Sequence, residues 1–281
     1  MPVKISSLGN DCIKRVIKLK NRRFRDSQQQ TVVEGSREVA RALAAGIQPV
    51  EAYICPPLLK DLLAQETART LLEQAQTTPL KIFEVTPPVF QKMAYREESG
   101  GLLIVISYLA HNLENLALGN PPFLAIIEGV EKPGNLGGIL RTADAAGVDG
   151  VIVCSSPNQT TTDIYNPNAI RASLGALFTV PTMMAENGRL RDWLTQHNIR
   201  VVAATPTAAI LYTATDMTGA TAVVMGSEAA GLSDFWLQSA QEHVSIPMAG
   251  MVDSLNLSVA TALLLYEVVR QRDTAQRQQL Q

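Results

Sequence analysis

Hydrophobic and polar positions follow one another along this chain in a pattern that predicts alternating strands and helices. Short apolar runs, typical of buried strands, are separated by stretches in which apolar residues recur every three or four positions, as on one face of a helix. In the first part of the chain the pattern predicts strands at 31–35, 50–54, 81–85 and 102–107 and helices at 11–21, 36–45, 58–76 and 88–93. We therefore predict a small N-terminal α/β domain over residues 1–110.

The second part of the chain shows the same alternation after a short break. Residues 111–122 end in Asn-Pro-Pro and predict a linker. Beyond the linker, strands are predicted at 123–129, 150–154, 178–182, 200–204, 221–226 and 243–247, and helices at 137–146, 167–176, 188–197 and 257–271. Strands that alternate with helices favour a parallel sheet, so residues 123–281 predict a second α/β domain with a polar tail from 273 that we expect to fray.

The last predicted helix is apolar on more than one face. Leu257, Leu263, Leu264 and Val268 do not fall on a single stripe, and a helix of this kind has to be buried most of the way round. Burial against a second subunit is the interpretation that we favour, and packing inside the domain is the alternative.

The composition excludes several classes of protein. The chain has 281 residues and no uncharged apolar run of about 18 residues, so we expect no membrane span. Its N-terminus has no apolar segment of the kind found in secretory signals. Cys12, Cys55 and Cys154 are far apart, as are the three histidines, which favours free thiols in a reduced, cytoplasmic setting and argues against a metal site.

Basic residues are concentrated at the N-terminus of a chain whose formal net charge is −2. Residues 1–25 contain eight lysines and arginines and a single acidic residue. Such asymmetry is typical of a surface that faces a polyanion, although a solvated amphipathic helix gives the same pattern. The candidate contacts to a nucleic acid are Lys18, Lys20, Arg22, Arg23 and Arg25.

The first segment with candidate chemistry is residues 126–150, which predicts a strand, a turn and a helix. The turn begins at a Pro-Gly-Asn sequence that ends at Asn135, and two adjacent glycines, the second at Gly138, follow at the helix start, where they cost helix stability. We infer that something approaches the backbone there. Arg141 stands one turn further on, near the carboxyl end of a strand, where open α/β sheets bind ligands. The alternative is a surface arginine paired with Asp144.

Residues 226–233 have the glycine spacing of a phosphate-binding loop without its chemistry. Gly226 and Gly231 are spaced as in that loop, but Leu232 stands where a lysine is needed, and Glu228 would repel phosphate. We therefore expect a ligand that approaches the backbone closely but carries no phosphate. A nucleoside-like cofactor with a positive centre, such as S-adenosylmethionine, would fit.

A third segment joins the end of a strand to the start of the last helix. It runs from Ile246 to Ser258 and contains Ser254 and Asn256. Serine and asparagine are good helix caps, and capping is the simpler interpretation of each side chain taken alone. Their position beside two glycine-rich loops makes a binding role the one that we favour.

Together these segments resemble a known family. The sequences NLGGILRTADAAG, VMGSEAAGL and IPM…SLNLSVA resemble, in this order and spacing, the three motifs of the SpoU (TrmH-type) RNA ribose 2′-O-methyltransferases of the SPOUT superfamily. The resemblance covers residues 123–272, and residues 166–175 resemble the segment between the first two motifs. The first domain, with TVVEGSREV near residue 31, is similar to the substrate-binding domain of the members that act on ribosomal RNA, and that domain resembles a small ribosomal protein.

The resemblance implies a fold, a reaction and an assembly. The fold is a C-terminal parallel sheet with a deep trefoil knot, preceded by a small α/β RNA-binding domain, and the assembly is a homodimer. The reaction is methyl transfer from S-adenosylmethionine to a ribose 2′-hydroxyl, with ribosomal RNA as the expected substrate. By the same resemblance the catalytic residues are Arg141, Asn135, Glu228, Asn256 and Ser254, and the cofactor contacts are Thr205, Gly226, Ile246 and Leu255.

Two alternatives stay open. A transfer-RNA ribose methyltransferase of the same superfamily would carry the same motifs, and a non-catalytic RNA-binding or ribosome-assembly protein would keep the same fold. The role of Arg141 is open as well, since family descriptions make it a base, whereas a guanidinium rarely gives up a proton. We favour Arg141 as an electrostatic stabiliser of the forming alkoxide.

Overall fold

The structure, a computed structural model, describes residues 2–96, 100–154 and 162–279. Its contacts divide the chain into two compact units, Met1–Leu109 with Tyr165–Phe178, and Ala110–Ile164 with Thr179–Gln281. Each unit is built around its own β-sheet. Both are α/β structures, as the alternating pattern predicts.

The first unit contains a five-stranded mixed sheet. Its strands are β1 (Val3–Ile5), β2 (Gln30–Glu34), β3 (Glu51–Ile54), β4 (Lys81–Val85) and β5 (Leu102–Ser107), and its first five helices are α1 (Asp11–Lys18), α2 (Arg22–Gln28), α3 (Ser36–Ala44), α4 (Leu62–Gln74) and α5 (Pro87–Met93). The strand order is β1-β4-β3-β5-β2, in which β5 is antiparallel to both neighbours and the other pairs are parallel. Tyr53 stacks on Phe83 with ring centroids 4.9 Å apart, and Ile13 and Phe90 complete a buried cluster that holds α1 and α5 on the sheet.

Two short helices replace the single helix that the sequence predicts over residues 11–21. α1 ends at Lys18 and α2 begins at Arg22. The side chain of Asn21 causes the break, because it accepts a hydrogen bond from the backbone N–H of Phe24 at 3.3 Å and so caps the second helix. Asparagine is a weak helix former but a strong cap, and the hydrophobic spacing alone does not reveal this choice.

Two of the predicted RNA contacts are held inside this turn. Arg25 is 2% exposed, and its Nη1 donates to the carbonyl oxygens of Leu19 (2.7 Å) and Lys20 (3.0 Å). The Nζ of Lys20 donates to the carbonyl oxygens of Lys92 (3.2 Å) and Ala94 (2.7 Å), and burial lowers the pKa of its ammonium. Arg25 is therefore a structural residue, not the exposed RNA contact that the sequence predicts, whereas Lys20 stays exposed and binds the end of α5 through its ammonium.

The second unit contains a seven-stranded sheet in which all neighbouring strands are parallel. The strands are β6 (Phe123–Glu128), β7 (Gly150–Cys154), β8 (Thr182–Met184), β9 (Arg200–Ala204), β10 (Ile210–Leu211), β11 (Thr221–Met225) and β12 (Glu242–Ser245). Their order is β10-β12-β9-β11-β6-β7-β8. The central strands β6 and β11 are buried along their whole length, as expected for parallel strands covered on both faces. Parallel pairing places the carboxyl ends of all these strands at one edge of the sheet.

The remaining helices are α6 (Pro133–Ala146), α7 (Pro167–Ala172), α8 (Asn187–Gln196), α9 (Asp234–Ser239) and α10 (Leu257–Gln279). α6 begins earlier than predicted because Pro133 suits the first turn of a helix. α10 continues to Gln279, whereas the sequence predicts an end at 271 and a frayed tail. That tail contains four glutamines, which favour helix, and Arg270, in the turn before it, pairs with Glu267 at 2.6 Å. Within the described residues, no helix is long and apolar enough to cross a membrane.

Several short elements differ from the predicted pattern. β1, α2, β10 and α9 are not predicted, because two or three strand residues, or a helix of six or seven, give no measurable period. The strand predicted at 178–182 is displaced: Ala176–Phe178 form a 3₁₀ turn and β8 begins at Thr182. α4 begins at Leu62 because Asp61 accepts a hydrogen bond from the backbone N–H of Ala64 at 2.7 Å.

The two units also differ from the predicted domains at their boundaries. Leu113, in the predicted linker, is 4% exposed and packs in the apolar core of the second unit. Residues 165–178, which the sequence places in the second domain, pack with the first unit. Thr31 Oγ1 donates to the carbonyl oxygen of Tyr165 at 2.7 Å, and Tyr108 stacks on Tyr165 with 3.8 Å between ring centroids. Periodicity shows which residues are buried, but it does not show which sheet buries them.

Replacing Arg25 by alanine should lower the free energy of unfolding by about 2–3 kcal/mol, because two buried carbonyl groups lose a charged donor. Arg23→Ala, in the same helix but exposed, should leave the stability unchanged. Urea denaturation of the full chain, followed by circular dichroism, measures both. Equal stabilities for the two variants would show that the turn does not depend on Arg25.

Candidate functional site

The carboxyl ends of β9, β11 and β12 surround a cavity of about 220 Å³ in the second unit. Six residues that the sequence assigns to the site line this cavity, although they come from three separate parts of the chain. They are Thr205, Gly226, Glu228, Ile246, Ser254 and Leu255. The sheet brings them together because loops that follow neighbouring parallel strands leave the sheet at the same edge.

The wall of the cavity combines apolar side chains with two carboxylates. Met225, Val244 and Met248 supply apolar surface, and Glu228 and Asp253 supply the charge. No lysine or arginine is among the described residues that form this wall. Such a wall repels phosphate and accommodates a ligand with an apolar body and a positive charge. In the part of the chain that the structure describes, no group of three or more His, Cys, Asp or Glu side chains is placed to hold a metal ion.

The loop after β11 folds back on its own backbone. The N–H of Ser227 donates to the carbonyl oxygen of Gly231 at 3.1 Å, and the N–H of Gly231 donates back to Ser227 at 3.0 Å. A Cβ added at Gly226 would lie 2.1 Å from the carbonyl carbon of Gly231, an overlap with backbone that no side-chain movement relieves. Glycine is therefore required at 226 by the loop itself, and not only by the approach of a ligand.

Helix α6 approaches the first turn of α10 at the second glycine of its motif. A Cβ added at Gly138 would lie 3.0 Å from both the Cβ and the Oγ of Ser258. The sequence indicates that something approaches the backbone here, and the structure identifies it as α10. The small residue therefore sets the distance between the helix that carries Asn135 and Arg141 and the helix that Asn256 caps.

A hydrogen-bond network joins one predicted site residue from each of the three motifs. Nδ2 of Asn135 donates to Oε1 of Glu228 at 2.6 Å. Nδ2 of Asn256 donates to Oδ1 of Asn135 at 3.1 Å and to Oε1 of Glu228 at 3.3 Å. The start of α6, the loop after β11 and the start of α10 are held together by these three side chains.

Lys132 adds a positive charge to this network, although no pattern in the sequence predicts this role. Its Nζ lies 3.0 Å from Oε2 of Glu228, so the carboxylate is bound at both oxygens. The hydrogen bond from Lys132, together with the one from Asn135, lowers the pKa of the Glu228 carboxyl. Glu228 therefore stays an acceptor throughout the neutral range.

Asn256 caps α10, as the simpler interpretation predicts, and also joins the network around Glu228. Its Oδ1 accepts hydrogen bonds from the N–H (3.0 Å) and the Oγ (2.7 Å) of Ser258, and so caps α10. Its Nδ2 donates to Asn135. Capping and site formation are compatible because an amide has a separate acceptor and donor.

Arg141 is not brought into the cavity wall of the single chain. It is exposed on α6 and makes no hydrogen bond or ion pair with any described residue. Asp144, its partner in the alternative interpretation, accepts a hydrogen bond from Oγ1 of Thr179 at 2.6 Å instead. The prediction of a surface ion pair with Asp144 is therefore wrong, and the guanidinium of Arg141 faces solvent.

The other predicted nucleic-acid contacts form a smaller exposed set. Lys18 and Arg23 are exposed. Arg22 is half-buried, and its Nε lies 3.5 Å from Oδ2 of Asp26. Lys20 is also exposed, although its Nζ donates to backbone carbonyls, so Arg25 is the member of the set that is buried.

Replacing Lys132 by methionine should raise the pKa of the Glu228 carboxyl toward its ordinary value, because the largest cause of its depression is removed. Titration of glutamate side chains labelled with ¹³C, followed by NMR, measures this shift. Lys14→Met removes an exposed lysine that pairs with Asp11 at 3.3 Å and serves as the matched control. An unchanged Glu228 titration in Lys132→Met would contradict the assignment.

Sequence models of two families match this chain. The model of the SpoU rRNA Methylase family matches residues 122–266. The model of the MRM3-like substrate binding domain matches residues 10–103. The two matches fall on the two parts of the chain in which the sequence pattern predicts separate α/β domains.

Several known methyltransferases are similar to the chain. The 23S rRNA (guanosine-2'-O-)-methyltransferase RlmB of Haemophilus influenzae is 42% identical over 57% of this chain and 64% of its own length, so the chain spans slightly less than two thirds of that relative. The 23S rRNA (uridine(2479)-2'-O)-methyltransferase of Streptomyces viridochromogenes is 30% identical over 90% of this chain and 87% of its own length. The crystal structure of an AdoMet-bound rRNA methyltransferase from Sinorhizobium meliloti has a TM-score of 0.84 at 27% identity and covers 95% of this chain and 97% of that chain. With one family model over more than half of its length and a relative aligned over nearly all of it, this chain belongs to the SpoU rRNA methylase family.

Proposed function

We propose that this protein transfers a methyl group from S-adenosylmethionine to the 2′-hydroxyl of a ribose in ribosomal RNA. The observation that carries the proposal is the cavity at the sheet edge, which two of the motifs line and a hydrogen-bond network joins to the third. The relatives named for 23S rRNA support the substrate, and the AdoMet-bound relative supports the cofactor. The free thiols of Cys12, Cys55 and Cys154 support a reduced, cytoplasmic setting.

The charge and polarity of the cavity fit S-adenosylmethionine. Glu228 and Asp253 offer negative charge to a ligand whose sulfur and amino group are positive, and the apolar wall suits its adenosine part. Cofactors that carry phosphate are disfavoured because the described wall holds no lysine or arginine. When bound, S-adenosylmethionine supplies an electrophilic methyl group.

Four further residues of the wall hold the cofactor in this proposal. Gly226, Ile246 and Leu255 present backbone groups from the loops after β11 and β12, and Thr205 borders the cavity after β9. Backbone contacts of this kind recognise a ligand by its shape and hydrogen bonds, and they need no charged side chain. They also fix the ligand's orientation, which contributes to the rate by aligning the reacting groups.

Arg141 acts on the ribose in the proposed reaction. Its guanidinium keeps its proton at neutral pH and presents five N–H donors, so it stabilises the alkoxide that forms as the hydroxyl proton leaves to water or to a phosphate oxygen of the RNA. Asn135, Glu228 and Asn256 position the helix that carries it, through the network at the start of α6. Ser254, on the cavity wall, completes the hydrogen bonds near the ribose.

We propose that a second copy of the chain completes this site. Arg141 is outside the cavity wall of its own chain, so a pocket that contains both the cofactor and a guanidinium needs another contribution. Val259, Leu263 and Tyr266, one or two turns apart on α10, are 49%, 37% and 49% exposed. An exposed apolar stripe on a helix whose other face is buried supports a homodimer interface there.

We also propose that the segment leading into α10 is threaded as the deep trefoil knot of the SPOUT superfamily. The resemblance of the three motifs supports this threading, as does the packing of α10 against both α6 and β11. A knot of this kind would hold the loops after β11 and β12 around the cavity. It would therefore keep the cofactor site closed without a separate lid.

The first unit contributes RNA binding in this proposal. The match to the MRM3-like substrate binding domain supports that role, and the predicted contacts that lie at its surface are Lys18, Lys20, Arg22 and Arg23. Contacts of lysine and arginine to phosphate release counterions, so RNA affinity should fall steeply with salt. The two curated relatives differ in the base, guanosine in one and uridine in the other, so the proposal stays with the ribose.

Arg141→Ala should lower methyl transfer to ribosomal RNA by about 10²–10³-fold, because the forming alkoxide loses its charged donor. The dissociation constant for S-adenosylmethionine should stay within about twofold, since Arg141 is not on the cavity wall. Transfer from labelled S-adenosylmethionine to total RNA, followed by mapping of the modified nucleotide, measures the activity and identifies the substrate. Arg277→Ala, an exposed arginine near the end of α10, is the matched control. Full activity in Arg141→Ala would rule out the assigned role.

Leu263→Glu should convert the proposed dimer into monomers, because it places a charge in the middle of the apolar stripe of α10. Sedimentation velocity of the full chain measures the assembly. Leu72→Glu, which changes a leucine that is 38% exposed on α4, should leave the assembly unchanged. A wild-type chain that sediments as a monomer would exclude the dimer.

A further inference from the structure

The carboxyl group of Glu128 is buried at the end of the central strand β6. The residue is fully buried, with 0% of its surface exposed. Its Oε2 accepts the backbone N–H of Ser233 at 2.8 Å, and its Oε1 accepts the Oγ of Ser233 at 2.7 Å and the Nδ2 of Asn187 at 3.2 Å. A carboxylate accepts at both oxygens, so it matches three donors that converge from two separate segments.

Ser233 uses its hydroxyl for this contact and not for capping its own helix. It is the N-cap of α9, a position from which serine normally accepts a hydrogen bond from the helix backbone, yet it makes no side-chain cap. Its hydroxyl donates to Glu128 instead. The geometry therefore favours the link to β6 over the local stability of a helix of six residues.

The loop over residues 226–232 is thereby fixed to β6 at both of its ends. Before the loop, Met225 of β11 pairs with Ile127 of β6. After the loop, Ser233 binds Glu128, the next residue of β6. Between these points the loop is closed on itself and exposed over residues 228–231, so its position depends on its two ends.

A buried carboxylate adds little net stability to a fold, because its desolvation costs free energy. Removing a charge from water costs several kcal/mol, and apolar residues of similar volume often serve equally well in a core. Glu128 also lies near Cys154, whose pKa is raised to about 12, first by burial and then by the charge of Glu128. The hydrogen bonds of the Glu128 carboxyl therefore lie in buried surroundings, where hydrogen bonds are strong and directional.

We propose that Glu128 is a positioning residue for the cofactor: it fixes the loop that presents Gly226 and Glu228 to the cavity at the distance that S-adenosylmethionine requires. The inference rests on the proposed methyl transfer. Glu128 is not on the cavity wall and touches no reacting group, so it acts through Ser233. Its loss should weaken cofactor binding, while the recognition of RNA is unaffected.

Glu128→Gln keeps the shape of the side chain but replaces one acceptor oxygen by a donor that faces Ser233 or Asn187. We expect the dissociation constant of S-adenosylmethionine, measured by calorimetry on the full chain without RNA, to rise about tenfold. The KM for RNA, measured at saturating cofactor, should stay within about twofold, and kcat should fall less than the cofactor affinity. A uniformly damaged protein would not show this split.

Asp149→Asn is the matched control. Asp149 is also a carboxylate that binds β6, but at the amino end, where its Oδ2 accepts the backbone N–H of Phe123 at 2.7 Å. This variant should lower the melting temperature and leave the affinity for S-adenosylmethionine unchanged. If both variants weaken cofactor binding equally, or if Glu128→Gln binds it as the wild type does, the positioning role is overturned.

Ser233→Ala covers the case in which Glu128→Gln does not fold. It removes only the hydroxyl donor and should raise the dissociation constant about threefold, and wild-type affinity in this variant would also overturn the inference. Calorimetric titration of the wild-type chain with S-adenosylmethionine distinguishes a failure of the proposed function from a failure of the role of Glu128. A wild-type chain that does not bind S-adenosylmethionine overturns the proposed function itself, whereas normal wild-type binding with unaffected variants overturns only the role of Glu128.

Discussion

The carboxylate of Glu228, held between the amides of Asn135 and Asn256, is the interaction on which the site depends. The three side chains belong to elements that are far apart in the sequence, and two of those elements begin in loops whose position the sheet does not fix alone. A charged acceptor makes stronger hydrogen bonds than a neutral one, and Lys132 keeps it charged. The same carboxylate also forms part of the cavity wall, so one group both builds the site and gives it negative potential.

The negative groups of the cavity and the positive charge of Arg141 lie on different surfaces of the second unit. The described wall of the cavity has carboxylates and no basic side chain, whereas Arg141 is exposed on α6. The carboxylates of the wall attract the positive charge of a sulfonium. In the proposed dimer, the guanidinium of one copy would meet the sugar oxygen, where negative charge develops, at the cavity of the other copy.

The sequence predicts the fold class and six of the residues that line the cavity, and what it does not predict has physical causes. The strands at 81–85, 102–107, 150–154 and 200–204 are predicted at their observed bounds, because buried strands bounded by turn residues give a strong local signal. Arg25 shows the opposite case, since a buried arginine bound to carbonyl groups has the same sequence signature as an exposed one. Lys132 and Glu128 are missed for a related reason: their partners are about 100 residues away, and spacing along the chain does not encode such contacts.

The cap of α10 has a consequence for how quaternary structure and chemistry are coupled. Asn256 has two roles at once. Its Oδ1 caps the start of the helix, and its Nδ2 donates to Glu228. Whatever covers the nearby stripe of α10 reduces fraying of that first turn, and the amide is then ordered at the same time. If a second copy covers the stripe, as proposed, association and order at the reaction centre are thermodynamically linked, and dilution would disorder that centre before it unfolds either sheet.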